Sequence, residues 1–407
     1  MQSFACFIFG KGADYVYKND IINNVMRRKL KPIVVYLFFL SVMVGLVLAD
    51  HYNKVASEKQ LKEIKTTVTQ RSQKEKMIDT LLRKMTLKEK IGQLFWARVP
   101  YTNQTEDIKT YHLGGYILFG KDFEGQNLSS VKSLIASYQS AAKIPLLIGS
   151  DEEGGTVTRI SSILQTPFQS PMSLYQTGGI KAIVSDTKSK SQTLKSVGIN
   201  AGLFPVADVA TDSSAFIYDR TVGQDAKTTA NYVKWVVKTL KEEQIGSTLK
   251  HFPGYGNNGD SHTSIISDNR SLETLRQNDF LPFKAGIQAG ADSVLVAHNI
   301  LTQIDTVPAS ISPKVHQILR KELHFKGVIM TDDLDMDGLA DFVSQNEAAY
   351  QAITAGNDLI LGSSYSTQIP YLLAKVSSGE LTEKRINASV KRVLSWKYDL
   401  GLLSIKN

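Results

Sequence analysis

The segment KHFPGYGNNGDSHTS, residues 250–264, concentrates side chains that exchange protons or form strong hydrogen bonds. It contains Lys250, His251, Asp260 and His262, although the whole chain has only seven histidines. Histidine changes charge close to neutral pH, whereas Lys and Asp supply fixed charges there. Three glycines and a proline predict a turning loop rather than a helix. The segment therefore predicts a polar site at which protons are exchanged.

A second group of acidic side chains follows the apolar run GVIM, where Asp332 stands beside Asp333. Neighbouring side chains on a strand point to opposite faces, so only one of these carboxylates can readily reach a substrate. Asp151, Asp208 and His298 also stand where apolar runs stop. Any single Asp of this kind could simply cap the following helix. Its repetition at several strand ends favours a shared site.

Short apolar runs separated by helical patterns make up the chain from about residue 77. The runs lack the alternation of a half-exposed sheet, as expected for parallel strands buried on both faces. They cover 93–99, 115–119, 145–151, 201–208, 246–252, 291–298, 327–333 and 357–362. Repeated strand–helix units predict an α/β fold, a (β/α)8 TIM-type barrel with its site at the C-terminal strand ends. A doubly wound open sheet is the alternative, but no glycine-rich phosphate fingerprint follows a first strand.

The 250–264 segment is similar to the Lys-His-Phe-Pro-Gly-His-Gly…Asp-Ser-His signature of glycoside hydrolase family 3, in its β-N-acetylglucosaminidase branch. The resemblance spans residues 77–403, and eight ordered blocks make it specific. The other seven blocks are LGGYILFGKD (113–122), SDEEGGTVTRI (150–160), GINAGLFPVADV (198–209), YDRTVG (218–223), ADSVLVAHNI (291–300), GVIMTDDLDM (327–336) and RINASVKRVLSWKYDLGLL (385–403).

The resemblance implies a retaining exo-glycosidase that removes terminal β-linked N-acetylglucosamine. Asp332 matches the family's nucleophile, which forms a covalent glycosyl intermediate, and Asp333 would buttress or cap the next segment. His262 paired with Asp260 matches the family's unusual general acid and base. A nearby carboxylate raises the pKa of an imidazole and selects its tautomer. The sugar-binding residues implied by matching blocks are Asp151, Arg159, Arg220, Lys250 and His251.

Two positions depart from the family pattern. Tyr255 replaces the second His of the signature, and Glu152 replaces a Gln, so both put the detailed substrate preference in question. Family and location together imply cell-wall muropeptides or related glycans as substrate for a monomeric enzyme without metal or organic cofactor. Phosphate in place of water as acceptor stays open.

Three other classes of function stay open as alternatives. A β-glucosidase or β-xylosidase of the same family would generally lack the Asp-x-His loop. A membrane-bound sugar-binding protein without catalysis would not need Asp260, His262 and Asp332. A barrel metallohydrolase could use these three and His251 as ligands, but the chain lacks an early His-x-His. Cys6 is the only cysteine, which excludes an intramolecular disulfide and a Cys-based zinc site.

The basic excess of the chain lies in its N-terminal arm. The net charge is +8, and residues 1–85 carry 15 Lys and Arg against 7 Asp and Glu, so the remainder is formally neutral. This distribution argues against nucleic-acid binding. In 26–49, MRRKLK precedes an uncharged run, which predicts a transmembrane anchor with the enzyme outside the cell, or a signal peptide and a secreted enzyme. The predicted domains are an extension of unknown role (1–25), the anchor or signal (26–49), a polar stalk (50–76) and the catalytic domain (77–407).

Overall fold

The computed structural model describes residues 68–261 and 263–404, together with 50–54 and the single positions 31, 36, 40, 41, 43, 60 and 62. The chain divides into two compact units, Met1–Gln73 and Lys74–Asn407. The described residues of the first unit are helical. The predicted extension 1–25 lies outside the described residues, as does most of the predicted anchor 26–49. In the part of the chain that is described, no helix is long and apolar enough to cross a membrane.

Eight parallel strands form the centre of the second unit, and all eight fall on the apolar runs predicted from the sequence. Two further short strands, Ser267–Asp268 and Ile300–Leu301, pair with each other in the segments that follow the fifth and sixth barrel strands. The strands are β1 (Phe95–Arg98), β2 (Gly115–Leu118), β3 (Leu147–Ser150), β4 (Ala201–Gly202), β5 (Thr248–Phe252), β6 (Ser267–Asp268), β7 (Ser293–Val296), β8 (Ile300–Leu301), β9 (Val328–Asp333) and β10 (Leu359–Gly362).

The strand order shows a barrel rather than an open doubly wound sheet. The order around the sheet is β4-β3-β2-β1-β10-β9-β7-β5, with every neighbouring pair parallel. Parallel bridges from Ala201 to Gly246 and from Val206 to Lys250 then join the β4 segment to the β5 segment. Strands consecutive in sequence are therefore adjacent around an almost closed ring, as in TIM-type barrels.

The fourth strand is shorter than the predicted run 201–208. Pro205 follows β4 closely and has no N–H to donate to a ladder, so regular pairing stops there. The chain nevertheless continues beside β5, because the amide of Thr248 donates to the Phe204 carbonyl at 3.0 Å and that of Ala207 donates to the Lys250 carbonyl at 2.6 Å. Asp208 therefore reaches the same end of the barrel as Lys250.

Helices surround the strands and begin at residues that satisfy their first amides. At α1, Thr86 and Glu89 form a capping box in which each side chain accepts from the other residue's amide. α4 is interrupted at Gly179, where φ is 57°. From residue 87 onward the α-helices are α1 (Leu87–Gly92), α2 (Gln104–Tyr111), α3 (Leu128–Ala141), α4 (Pro171–Val197), α5 (Ala226–Glu242), α6 (Leu272–Gln277), α7 (Phe280–Ala289), α8 (Pro313–Gln317), α9 (Asp337–Ala340), α10 (Gln345–Ala355), α11 (Tyr365–Ser377) and α12 (Glu383–Asp399).

The barrel interior is filled by apolar side chains around Trp96. A Cβ atom on Gly149 would lie 2.1 Å from the Trp96 ring, so this glycine leaves the space that the indole occupies. Trp396 of α12 contacts Trp96 edge to face, with ring centroids 5.7 Å apart. The two indoles belong to one buried cluster with Leu295, Met330 and Leu361.

Candidate active site

Charged side chains stand at the C-terminal strand ends of the barrel. On β9, Val328 and Met330 pack in the barrel interior, and Asp332 and Asp333 end the strand. Asp332 is 8 % exposed. Arg98 is the last residue of β1, Asp151 directly follows β3, and Lys250 lies within β5. The strand ends predicted to form the site therefore do meet at one face.

Lys250 lies between two carboxylates. Its Nζ is 2.6 Å from Asp151 Oδ1 and 2.5 Å from Glu153 Oε1, and the side chain is almost fully buried. Burial alone would raise the pKa of Glu153, but the charges of Lys250 and Arg220 outweigh it and lower that pKa well below its usual range. Glu153 is therefore ionised and holds two cations in place.

His251 joins Arg220 to Asp208. Arg220 donates to Glu153 through Nε at 3.0 Å and Nη2 at 2.8 Å, and the same Nη2 lies 3.0 Å from His251 Nε2. A guanidinium only donates, so Nε2 accepts and Nδ1 carries the proton, which it donates to Asp208 Oδ2 at 2.8 Å. Both ring nitrogens are thus bonded within the protein.

Arg159 completes this network from the loop after β3. Its Nη2 lies 3.4 Å from Asp151 Oδ2. The Glu152 carboxylate accepts from the amides of Arg159 and Ile160 and from the Ser150 hydroxyl. Burial raises the pKa of Glu152, and the amide hydrogen bonds oppose that rise. Glu152 therefore organises the backbone of this loop with a side chain that is fully buried.

The two adjacent carboxylates of β9 have different surroundings. Asp332 Oδ1 accepts from the Asp333 amide at 2.9 Å, whereas Asp333 Oδ2 lies 2.6 Å from Arg98 Nε. Burial raises the pKa of Asp333 to about 6, although Arg98 lowers it. His298 donates through Nε2 to the Asp333 carbonyl at 2.9 Å, because a carbonyl can only accept. Asp333 and His298 thus support the end of the strand that presents Asp332.

The loop that carries the predicted acid–base pair is described except at one position. Asp260 is half-buried, while His262 lies outside the described residues, so the pairing of these two side chains stays a prediction. Tyr255 is buried, and its hydroxyl lies 2.6 Å from the Ser261 hydroxyl. The amide of Tyr255 donates to Asp208 Oδ1 at 2.7 Å. The base of the loop is therefore fixed to the network around His251.

The structure brings the five predicted sugar-binding residues into one continuous network. Its members are Arg159, Asp151, Lys250, Arg220 and His251, linked through Glu153. Sequence reasoning did not assign Glu153 or Arg98 to the site. Glu153 is the third of three acidic residues that directly follow a buried strand, and only the first of them, Asp151, was predicted to bind the sugar.

Among the described residues, no group of three or more His, Cys, Asp or Glu side chains is arranged to hold a metal ion. The carboxylates of Asp151 and Glu153 converge, but the Lys250 ammonium occupies the space between them. Arg98 and Arg159 both lie over the Phe119 ring, at 5.0 and 5.6 Å from its centroid. A half-buried aromatic ring therefore borders the charged network.

Comparison with known proteins identifies the relatives of this chain. The Glycosyl hydrolase family 3 N terminal domain matches residues 86–396. A β-hexosaminidase from Xanthomonas campestris pv. campestris (strain B100) is 34% identical over 300 residues, which cover 72% of this chain and 85% of that protein. A β-hexosaminidase from Stenotrophomonas maltophilia (strain K279a) is 31% identical over 298 residues, covering 72% of this chain and 84% of that protein.

Solved structures with the same fold include a β-N-acetylglucosaminidase of glycoside hydrolase family 3 and a β-N-acetylhexosaminidase. A glycoside hydrolase family 3 β-N-acetylglucosaminidase from Paenibacillus sp. str. FPU-7 superposes with a TM-score of 0.74 at 30% identity, covering 79% of this chain and 65% of that one. A β-N-acetylhexosaminidase from Beutenbergia cavernae DSM 12333 gives a TM-score of 0.68 at 25% identity, covering 77% of this chain and 99% of that one. This chain thus spans slightly less than two thirds of the Paenibacillus protein.

Proposed function

The chain belongs to glycoside hydrolase family 3 and is a glycoside hydrolase, and we propose that it releases terminal β-linked N-acetylglucosamine by a retaining mechanism with Asp332 as nucleophile. The observation that carries this proposal is the different engagement of the two β9 carboxylates. Asp333 is paired with Arg98, whereas Asp332 lies close enough to Tyr255, which packs on His251, that burial and the Asp332 charge together raise the pKa of the Tyr255 hydroxyl.

In the first step, the Asp332 carboxylate attacks the anomeric carbon of the sugar and the bond to the leaving oxygen breaks. His262 donates its proton to that oxygen, so the aglycone departs as a neutral alcohol and a glycosyl ester forms on Asp332. In the second step, His262 takes a proton from water, whose oxygen attacks the anomeric carbon and releases Asp332. The configuration at that carbon is retained after two displacements.

Asp260 supports this role of His262 as its proposed partner. A carboxylate next to the imidazole stabilises the protonated ring and selects the nitrogen that carries the exchanged proton. Phosphate as the acceptor in place of water would use the same first step, and product analysis with and without phosphate separates the two reactions.

The charged network is proposed to orient the sugar. Lys250 and Arg159 hold the Asp151 carboxylate from two sides, so that it can accept hydrogen bonds from sugar hydroxyls in a fixed position. Arg220 and His251 are locked by Glu153 and Asp208. In this arrangement Arg220 keeps donor capacity toward a ligand, and His251 holds the guanidinium in place.

The N-acetylated substrate is favoured over a plain glucoside or xyloside by the Asp-x-His loop and by the activities of the relatives, β-hexosaminidase and β-N-acetylglucosaminidase. We propose cell-wall muropeptides or related glycans as the natural substrate. A monomer held at the outer side of the cell membrane by residues 26–49 would meet this material. N-terminal sequencing of the mature protein and its distribution between membrane and medium test that location.

The decisive experiment compares matched chromogenic β-N-acetylglucosaminide and β-glucoside with the full chain. We expect a clear preference for the N-acetylated substrate and a loss of at least about 10³-fold in kcat for Asp332→Asn, because covalent catalysis needs the carboxylate. Asp333→Asn is the matched control and should retain more activity, since its carboxylate is bonded to Arg98. Activity on the glucoside alone would overturn the substrate. A folded protein inactive on both would favour the sugar-binding alternative.

A further inference from the structure

Ser261 separates Asp260 from His262 and is the most deeply anchored part of their loop. Among the described residues of 257–266, Ser261 alone is fully buried, while its neighbours are exposed or half-exposed. A small polar side chain that is buried within an exposed loop needs hydrogen-bond partners, because an unsatisfied hydroxyl would be costly.

The side-chain partner of Ser261 is Tyr255. Their hydroxyl oxygens are 2.6 Å apart, and Tyr255 is itself fully buried. The Tyr255 ring contacts the His251 ring edge to face, with centroids 5.1 Å apart, and its amide donates to Asp208. Tyr255 is therefore held in place by the charged network and in turn binds Ser261.

The main-chain partner of Ser261 comes from the segment after the proposed nucleophile. The amide of Gly338, in α9, donates to the Ser261 carbonyl at 3.2 Å. A Cβ atom on Gly338 would lie 2.3 Å from that carbonyl oxygen and 2.8 Å from the Ser264 carbonyl oxygen. The loop thus contacts backbone five residues downstream of Asp333, at a place where no larger residue fits.

We propose that Tyr255, through its hydrogen bond to Ser261, is a positioning residue that sets the acid–base loop at a fixed place relative to both the sugar-binding network and the nucleophile. This inference rests on the proposed function, since it assigns a purpose to the loop that carries Asp260 and His262. It concerns a position at which this chain carries Tyr where the family signature has His. Burial raises the pKa of the Tyr255 hydroxyl, and the charge of Asp332 adds to that rise, so the group remains a neutral phenol.

A positioning role predicts a selective defect. Proton donation matters most for an aglycone that is a poor leaving group, and least for an activated aryl glycoside. We expect Tyr255→Phe to lower kcat/KM about tenfold on an alkyl β-N-acetylglucosaminide but less than about twofold on a dinitrophenyl one, since one hydrogen bond is lost. Ser261→Ala should lower kcat/KM on the two substrates by the same factors as Tyr255→Phe. The double variant should be no worse than either single one, because both remove the same bond.

Two comparisons make the test specific. Tyr138→Phe is the matched control, because Tyr138 is also buried and its hydroxyl donates to Gln104, which is not a member of the charged network. His262→Ala shows the full leaving-group dependence that the loss of the proton donor produces. Hydrogen exchange of a peptide covering 257–264 gives a readout that needs no activity, and exchange should be faster in Tyr255→Phe than in the wild type and in Tyr138→Phe.

Each outcome is decisive. Selective loss on the poor leaving group together with faster loop exchange supports the proposal. Equal losses on both substrates, additive single variants, or unchanged loop exchange in an active enzyme would overturn it. Inactivity of the wild-type chain on both N-acetylated substrates would instead overturn the proposed function, and loop exchange would then still decide whether Tyr255 anchors the loop.

Discussion

Replacement of Glu153 by Gln tests whether the charged network depends on one buried charge. The Glu153 carboxylate contacts Lys250 and Arg220 at 2.5 and 2.8 Å, and its side chain is fully buried. Among the described residues, Glu153 is the only carboxylate within ion-pair distance of Arg220. Gln would keep the shape but would turn a donor amide toward one of these cations. Removing one partner of a buried ion pair costs about 3–5 kcal/mol.

The expected loss of stability is therefore about 3–5 kcal/mol, with Lys250 partly compensated by Asp151. For the unit Lys74–Asn407, the entropy of unfolding is about 0.7 kcal/mol per kelvin, so the melting temperature should fall by about 4–7 °C. Scanning calorimetry and guanidinium unfolding measure both quantities. Glu106→Gln is the control, because Glu106 is exposed and its pair with Lys109 is 3.9 Å long, which predicts a change below about 0.5 kcal/mol.

The pH dependence of this effect has a definite sign. Because the pKa of Glu153 is lowered on folding, its contribution is complete above the ordinary value of 4.5 and is lost as the pH falls through the folded pKa. The stability difference between wild type and Glu153→Gln should thus be constant from pH 7 to pH 5 and should shrink only in more acidic solution. A loss below about 1 kcal/mol, or a difference that shrinks between pH 7 and pH 5, would refute this reasoning.

Two further substitutions test the parts of the site near Asp332, the proposed nucleophile. Arg98→Met should raise the pKa of Asp333 above about 6. In the wild type, the raised pKa of Asp333 makes the free energy of unfolding fall as the pH increases from about 4 to 6, and in the variant this fall should extend to higher pH. Identical urea-unfolding profiles of the two proteins from pH 5 to 8 would contradict this expectation. Gly338→Ala should displace the Ser261 backbone and lower kcat/KM on a poor leaving group more than tenfold. Gly120→Ala, where a Cβ meets nothing within 4 Å, should leave it unchanged.

The eight strands and their meeting point were predictable because buried parallel strands are uniformly apolar and end in residues that stand out against that background. Asp332, Lys250 and Asp151 were recognisable for this reason. The partners of these groups were not predictable from spacing. Glu153 binds Lys250 from 97 positions away in the chain, and Glu152 beside it is turned toward backbone amides instead.

Local chemistry also overrode patterns that the sequence suggested. The run 201–208 has the composition of a full strand, yet only Ala201–Gly202 pairs regularly, since Pro205 cannot donate to the ladder. His298 follows an apolar run in the same way as Lys250 does, but its two ring nitrogens bond Ser310 and the Asp333 carbonyl in the core. Position at a strand end therefore identified candidates, and only the hydrogen-bond partners separated the structural ones from those of the charged network.

This chain carries Tyr255 where the family signature has His, and this difference affects how the site responds to pH. An imidazole at this place would change its charge close to neutral pH, and the bond that anchors the acid–base loop would then depend on its protonation. The Tyr255 hydroxyl does not ionise in that range, because burial and the charge of Asp332 both raise its pKa. The anchoring bond to Ser261 is consequently the same over the whole interval in which an imidazole acid and base would titrate. In this chain, changes of activity near neutral pH should therefore come from the proton-transferring groups themselves and not from release of the loop that carries them.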